Sequence, residues 1–283
     1  YKQKNLTSTE ANFAFDKIIS GKLSEIEVTA FLTSLASKGP SAIEIYEAAK
    51  VLRQNAKKIK IEDNVIDTCG TGGDGKNTLN ISTATAILAS ACDIKVAKHG
   101  NKAVSSKSGS SDVLSHLGVN INANMKTVKN CLNETGLCFL MAPLYHTAMK
   151  NVAKVRNHLK IKTIFNILGP LINPANADRQ LIGVYEKKLM LPMAETLKKL
   201  GVKKAWIVSG QDGLDEITIS TNTLVVEVNK KKIRKFTIYP ERLGIRKAPI
   251  EKIKGKDAKF NAKEINTLTD YKSLLNAIIN SST

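Results

Sequence analysis

With 283 residues, 42% of them apolar, the chain has room for one large domain or two unequal ones and enough apolar side chains for a buried core, which excludes general disorder. It contains no apolar run of about 18 residues and no basic-then-apolar leader, so neither a membrane span nor a signal peptide is predicted; a chain opening on Tyr1 is expected to have a trimmed N-terminus. The net charge of +18 raises nucleic acid as a partner, but the lysines are spread along the chain and aromatics make up only 5%, with no basic and aromatic alternation for base stacking. Such a field suits a small polyanion equally well.

The first sixty residues predict three helices, at about 8–20, 24–38 and 41–58. Ser24 with Glu27 and Ser41 with Glu44 fit the capping-box spacing, while Gly21 and Gly39-Pro40 are stop signals. Lys57-Lys58-Ile59-Lys60 then reads as a solvated linker, as does the Lys230–Lys232 cluster as solvated surface. From Val65 the pattern changes to strands alternating with helices. Strands are predicted at 65–68, 94–98, 138–141, 180–185 and 204–209, with helices at about 82–92, 110–117 and 125–136. This alternation implies a largely parallel sheet, and the simple alternation across 217–239 implies antiparallel strands at one side of it. The fold class is therefore α/β: a small all-helical domain over 1–63, with about 145–170 packing onto it, and a larger domain over 64–283. A cleft between the two, at the carboxyl ends of the parallel strands, is the expected ligand site. Cys69, Cys92, Cys131 and Cys138 have no metal-finger spacing and read as small buried side chains in a reducing cytoplasm.

Two loops carry the chemistry. Gly70-Thr71-Gly72-Gly73-Asp74-Gly75 follows the first strand, and glycines there let backbone N–H groups approach phosphate oxygens. It matches a dinucleotide fingerprint and nearly a P-loop, but Asn77 stands where a P-loop needs Ser or Thr, and the helix starts too late for a dinucleotide site. Asn80-Ile81-Ser82-Thr83 adds an amide, two hydroxyls and fresh helix N–H groups, a natural phosphate seat. The second loop runs from Lys98 to Asp112 after the second strand, with three lysines, five serines and two glycines. Two donor-rich loops on neighbouring strands predict one polyanion between them.

These motifs, taken with Ala142-Pro143-Leu144-Tyr145-His146, Val155-Arg156, Phe165–Pro174 and Asp215-Glu216, resemble the anthranilate phosphoribosyltransferase family over nearly the whole chain. The resemblance implies transfer of the phosphoribosyl group of phosphoribosyl pyrophosphate (PRPP) to the amine of anthranilate, in tryptophan biosynthesis, by a cytoplasmic homodimer joined through its helical part. It implies donor contacts from Gly70, Gly73, Asp74, Thr78, Asn80, Ile81, Ser82, Thr83, Lys98, His99, Gly100, Asn101, Lys102, Ala103, Val104, Ser105, Ser106 and Ser110. It implies an anthranilate pocket formed by Gly70, Asn101, Arg156, His99 and Pro170, with His146 behind them, and Mg2+, two ions bound with the donor, on Ser82, Asp215 and Glu216. A fork-shaped guanidinium at Arg156 suits a carboxylate, and an acidic pair suits magnesium shared with phosphate. No residue is expected to act as acid or base, because an aniline nitrogen is already unprotonated at neutral pH; positioning and electrostatics carry the rate. His116 and His158 read as ordinary helix residues. Lys102 departs from an arginine common in the family, and the chain stops soon after Leu274-Leu275-Asn276-Ala277, so some helix packing on the sheet is expected to be missing. The rival readings are a pyrimidine-nucleoside phosphorylase, a transferase with another aromatic acceptor, and a nucleic-acid-binding protein.

Overall fold

The computed structural model describes residues 3–62, 64–103 and 107–267. Three helices open the chain: α1 (Ser8–Ile19), α2 (Glu25–Lys38) and α3 (Ala42–Gln54). Each begins with a full capping box, on Thr7, Ser24 and Ser41, in which hydroxyl and glutamate satisfy each other's backbone donors. Buried Glu44 and Glu47 of α3 reach beyond their own helix, Glu44 accepting from the Leu6 N–H at 2.9 Å and Glu47 from Asn12 at 2.9 Å, which ties α3 to the start of α1.

The α/β part follows in the order β1 (Ile66–Gly70), α4 (Ile81–Ala91), β2 (Val96–Gly100), α5 (Ser110–His116), α6 (Met125–Thr135) and β3 (Leu137–Met141). A helical stretch then carries α7 (Ala142–Tyr145), α8 (Lys150–Leu159), α9 (Phe165–Leu168) and a single 3-10 turn over Gly169–Leu171. Next come β4 (Arg179–Gly183), α10 (Met190–Lys199), β5 (Lys204–Gly210), β6 (Thr223–Asn229), β7 (Lys232–Ile238) and α11 (Ala258–Asn266). The seven strands form one sheet in the order β3-β2-β1-β4-β5-β6-β7; the first five are parallel and the last two antiparallel. Strand order reverses between β1 and β4, so the loops leaving these two strands diverge and open a crevice there.

One apolar core runs unbroken from the helices into the sheet. Phe15, Leu32 and Ile45 of the bundle share it with Val152 and Val155 of α8, Leu168 of α9, Leu197 of α10, and Ile182 and Ile207 of the sheet. The side-chain amide of Asn151 donates to the Ile19 carbonyl at 2.8 Å, so α8 caps the end of α1 as well as packing on it.

Three expectations need correction. Helix α3 stops at Gln54, not 58, because Lys57 and Ile59 donate their N–H groups to Tyr145 and Pro174 instead of to their own helix. The same bonds, with Ile59 buried, make Lys57–Lys60 an anchored crossing in place of a solvated linker. Cys92 is exposed at the end of α4; Cys69, Cys131 and Cys138 are buried. The Leu274–Ala277 stretch lies outside the described residues.

Four of the five parallel strands end on glycine: Gly70, Gly100, Gly183 and Gly210. The reason is visible at Gly183, where a Cβ would fall on the backbone carbonyl of Asp215. A Gly183→Ala change must push the 211–216 loop off the sheet, and overpacking of that kind costs about 1–3 kcal/mol. The expected outcome is a lower urea midpoint with an unchanged slope, checked by equilibrium unfolding.

Candidate active site

The glycine turn after β1 is built for close approach. Gly72, Gly73 and Gly75 have φ of 65°, 78° and 71°, a region open to glycine at little cost. A Cβ on Gly70 would lie 2.8 Å from a carboxylate oxygen of Asp215, and the Gly72 N–H donates to that oxygen at 2.8 Å. Asp74 accepts from the N–H of Lys76 at 3.0 Å and, at 3.4 Å, from that of Asp215. Glu216 in turn accepts from the N–H of Ser82, in the first turn of α4. The structure thus draws Gly70, Gly73, Asp74, Ser82, Asp215 and Glu216 to the carboxyl edge of the sheet at the crevice.

Asp215 and Glu216 are enclosed. Burial first, then repulsion from Asp74, pushes Asp215 up to about 7; burial first, then Asp215, pushes Glu216 up to about 8. Neither has an ion-pair partner within salt-bridge distance among the described residues. Clustered carboxylate oxygens without a close ion-pair partner, beside a phosphate-type loop, fit a hard divalent cation such as Mg2+. No ready cage of three or more His, Cys, Asp or Glu side chains exists among the described residues.

The second loop is organised by Asp112, which accepts from the N–H groups of Ala103 at 3.0 Å and Gly109 at 2.9 Å. Ser110 donates to the Asn101 carbonyl at 3.4 Å, and the Asn101 side chain accepts from the Lys102 N–H at 2.8 Å. Gly100 has no room for a side chain between Ser110 and Phe139. Asn101 and Lys102 face solvent; Val104, Ser105 and Ser106 lie outside the described residues.

Several expected donor contacts are already spoken for. Lys98 is buried, with its ammonium donating to the Thr68 carbonyl and to the Ser82 hydroxyl at 3.3 Å, beside Asp67. Burial pulls the Lys98 ammonium down and pushes the Asp67 carboxyl up, each opposed by the other's charge. The Thr83 hydroxyl is enclosed without a partner and faces an apolar cavity lined by Ala86, Ile87, Leu114 and Cys131. Asn80 exchanges hydrogen bonds with Ser108, at 3.2 and 3.1 Å, and accepts from Asn261 at 2.8 Å, so its amide ties both anion loops to α11. Ile81 opens α4. The Thr78 backbone bridges Lys254, and a Cβ on Gly255 would strike it: residues 253–261 strap the outside of the first loop.

On the acceptor side, Arg156 is largely enclosed, stacks 5.6 Å from the Phe165 ring centroid and has no carboxylate partner among the described residues. Among the described residues no hydrogen bond or ring contact joins it to the other acceptor candidates. His99 lies 3.1 Å from the Gly169 carbonyl through Nδ1, which fixes that nitrogen as the donor, and its ring sits 5.1 Å from that of His146. Pro170, next to Gly169, is buried. The sequence reading missed Gln180 on Pro170, Arg53 on Leu171, Asn173 on Asp67, Asn261 on Asn80, and Lys162, which donates to the Gly73 carbonyl at 2.6 Å. Only Gln180 left a signal, a polar residue inside an apolar strand.

Residues 1–56 match the helical bundle domain of a glycosyl transferase family and residues 62–281 match its a/b domain. An anthranilate phosphoribosyltransferase from Thermoanaerobacter is 51% identical over 264 residues, covering 93% of this chain and 78% of that relative. This chain belongs to the anthranilate phosphoribosyltransferase family. The crystal structure of the family member from Thermus thermophilus superposes with a TM-score of 0.89 at 36% identity, covering 99% of this chain and 84% of that one. The Saccharomyces cerevisiae enzyme in complex with PRPP and Mg superposes with a TM-score of 0.85 at 31% identity, covering 98% and 82%. These relatives share the helical domain and the mixed sheet found here.

The histidine pair makes stability depend on pH. Burial pulls His99 down to about 3 and His146 to about 4, from an ordinary 6.5. Both are therefore neutral when folded, and the unfolded chain binds more protons below 6.5. Their contribution is complete above that value and is lost as pH falls from 6.5 toward about 4 and then about 3. Each group adds a slope approaching 1.4 kcal/mol per pH unit, to order of magnitude. Urea unfolding between pH 7 and 5 should show the loss, and His146→Phe should flatten it.

Proposed function

We propose that this chain transfers the phosphoribosyl group of PRPP to the amine of anthranilate, giving N-(5-phosphoribosyl)anthranilate and pyrophosphate, the reaction of its family in tryptophan biosynthesis. The observation that carries this reading is the meeting of a glycine turn, a helix N-terminus and two buried neighbouring carboxylates at the sheet's switch point. The two anion loops hold the donor: Gly70, Gly73, Asp74, Thr78 and Asn80–Thr83 on one side, Lys98–Ser106 and Ser110 on the other. Asn80, Lys98 and Thr83 support that surface through the loops they brace, by their side-chain partners and burial. Asp215, Glu216 and the Ser82 hydroxyl would hold two magnesium ions with the donor, and the metal would supply positive charge to the departing diphosphate.

Arg156 pairs with the acceptor carboxylate, and Gly70, His99, Asn101 and Pro170 line the ring. The neutral His99 cannot repel the cationic character that grows on the ribose as pyrophosphate leaves. The amine attacks the face of carbon 1 opposite the leaving group, and its proton passes to solvent. The work of the chain is to align the two substrates and exclude water. A homodimer through the helical domain fits the exposure of Phe13 and Ile26 on α1 and α2, at 64% and 82%. A division at residue 63, and a cytoplasmic location in keeping with four free thiols, complete the proposal. No described helix is long and apolar enough to cross a membrane.

Loss of anthranilate fluorescence tests the reaction: turnover should need PRPP, anthranilate and Mg2+ together. Phosphorolysis of thymidine or uridine without anthranilate turnover overturns it. The Asp215→Ala, Glu216→Ala double variant should lose at least about a hundredfold in kcat, the scale of removing transition-state charge stabilisation; full magnesium-dependent turnover would remove the metal assignment. Arg156→Lys loses the fork, so KM for anthranilate should rise about tenfold while that for PRPP holds.

A further inference from the structure

Three successive carbonyls in the Gly169–Leu171 turn each meet a side chain from a different element. Nδ1 of His99, on β2, donates to the Gly169 carbonyl at 3.1 Å. Nε2 of Gln180, on β4, donates to the Pro170 carbonyl at 2.8 Å. Nε of Arg53, on α3, donates to the Leu171 carbonyl at 2.7 Å. Within so short a turn only the Gly169 carbonyl has a backbone donor, the Ile172 N–H at 3.3 Å, and a buried carbonyl needs one. Here the donors arrive from two strands of the sheet and from the helical bundle, so the turn is held from three directions.

Two of these donors are expensive choices. Gln180 is buried in a strand next to Leu181 and Ile182, and its own Oε1 has no partner. Arg53 keeps Nη2 buried without a partner, and burial pulls its pKa down to about 10. Desolvating an amide and a guanidinium for one carbonyl bond each is not what packing alone would select. What the three bonds do achieve is to fix the orientation of the peptide groups on both sides of Pro170. They also fix the His99 ring against the same turn. Phe165, on which Arg156 stacks, lies four residues before Gly169 on the same short helical run. Among the described residues, neither Gln180 nor Arg53 hydrogen-bonds to either anion loop.

We propose that Gln180 and Arg53 are positioning residues for the aromatic acceptor. They clamp the Gly169–Leu171 turn so that Pro170, His99 and the Phe165–Arg156 stack stand at the spacing a flat aromatic acid requires. Arg53 carries the placement of the helical bundle into that wall. The inference rests on the transfer reaction proposed above, and it separates the two substrates: the clamp acts on the acceptor wall through Pro170 and Phe165, and reaches the donor loop only through the His99 ring.

The test compares Gln180→Met, Arg53→Met and Arg53→Lys in the full chain, by steady-state kinetics with each substrate varied and by thermal melting. Gln180→Met and Arg53→Met should raise KM for anthranilate about tenfold, the scale of one buried carbonyl left without its donor, with KM for PRPP within about twofold. Arg53→Lys, which can still donate one bond, should recover most of the acceptor affinity lost in Arg53→Met. Equal rises in both KM values, or an unchanged acceptor KM in a variant that folds, overturns the proposal. If Gln180→Met does not fold, the two Arg53 variants carry the same comparison. If wild-type chain does not turn over anthranilate, the reaction itself is wrong, and amide exchange decides on the clamp. Exchange at Ile167 and Ile172 should quicken in the Met variants, and unchanged exchange there would remove the clamp as well.

Discussion

Asp67 sits in the middle of β1 with 0% exposure, and its carboxylate is the fixed charge around which the edge of the sheet is assembled. It accepts from the His99 N–H at 3.1 Å and the Asn173 amide at 2.8 Å, with the Lys98 ammonium as its opposite charge. Each partner leads to a different half of the site. Lys98 goes on to Thr68 and Ser82, under the donor loop. Asn173 goes on to the Ala97 carbonyl and pins the end of the segment that carries Arg156, Phe165 and Pro170. Removing either charge would strand the other in the interior, a loss of about 3–5 kcal/mol in comparable buried pairs. The pair is a poor source of stability compared with apolar side chains, but it holds donor and acceptor halves to one strand.

Charge is arranged in layers around that pair. The chain as a whole is strongly positive, and its field concentrates anions near it. Inside, Asp74, Asp215 and Glu216 reverse the sign over a small volume; after burial, Asp74 is what raises the proton affinity of Asp215, and Asp215 that of Glu216. A polyanion drawn in by the outer field cannot settle on bare carboxylates. An inner layer of this kind suits a cation set between the carboxylates and an anion.

How far the sequence revealed this depended on distance along the chain. Helix starts were plain because a capping box closes within three residues, as at Ser24 and Ser41. The glycine turn was equally plain, since its backbone geometry is a local property of Gly72, Gly73 and Gly75. The end of α3 was misplaced because the groups that stop it, Tyr145 and Pro174, are far away in sequence. Lys98 looked like a free cation in a lysine-rich loop, and only the fold shows it turned inward to Thr68. Arg53 and Asn261 gave no local sign at all, since each acquires its role from a partner more than a hundred residues distant.

The strap formed by residues 253–261 has a consequence for how the chain is made. Leu79 donates to the Ile253 carbonyl, Gly255 to that of Asn77, and Asn261 to Asn80, so the first anion loop is closed from outside by a segment far downstream of it in the chain. Translation proceeds from the other end, and the bundle and the β1 to β3 half of the sheet can collapse long before that segment leaves the ribosome. During that interval the loop has its glycines but not its brace. Until the strap is in place, the loop cannot take the closed form that Leu79, Asn77 and Asn80 hold in the finished fold.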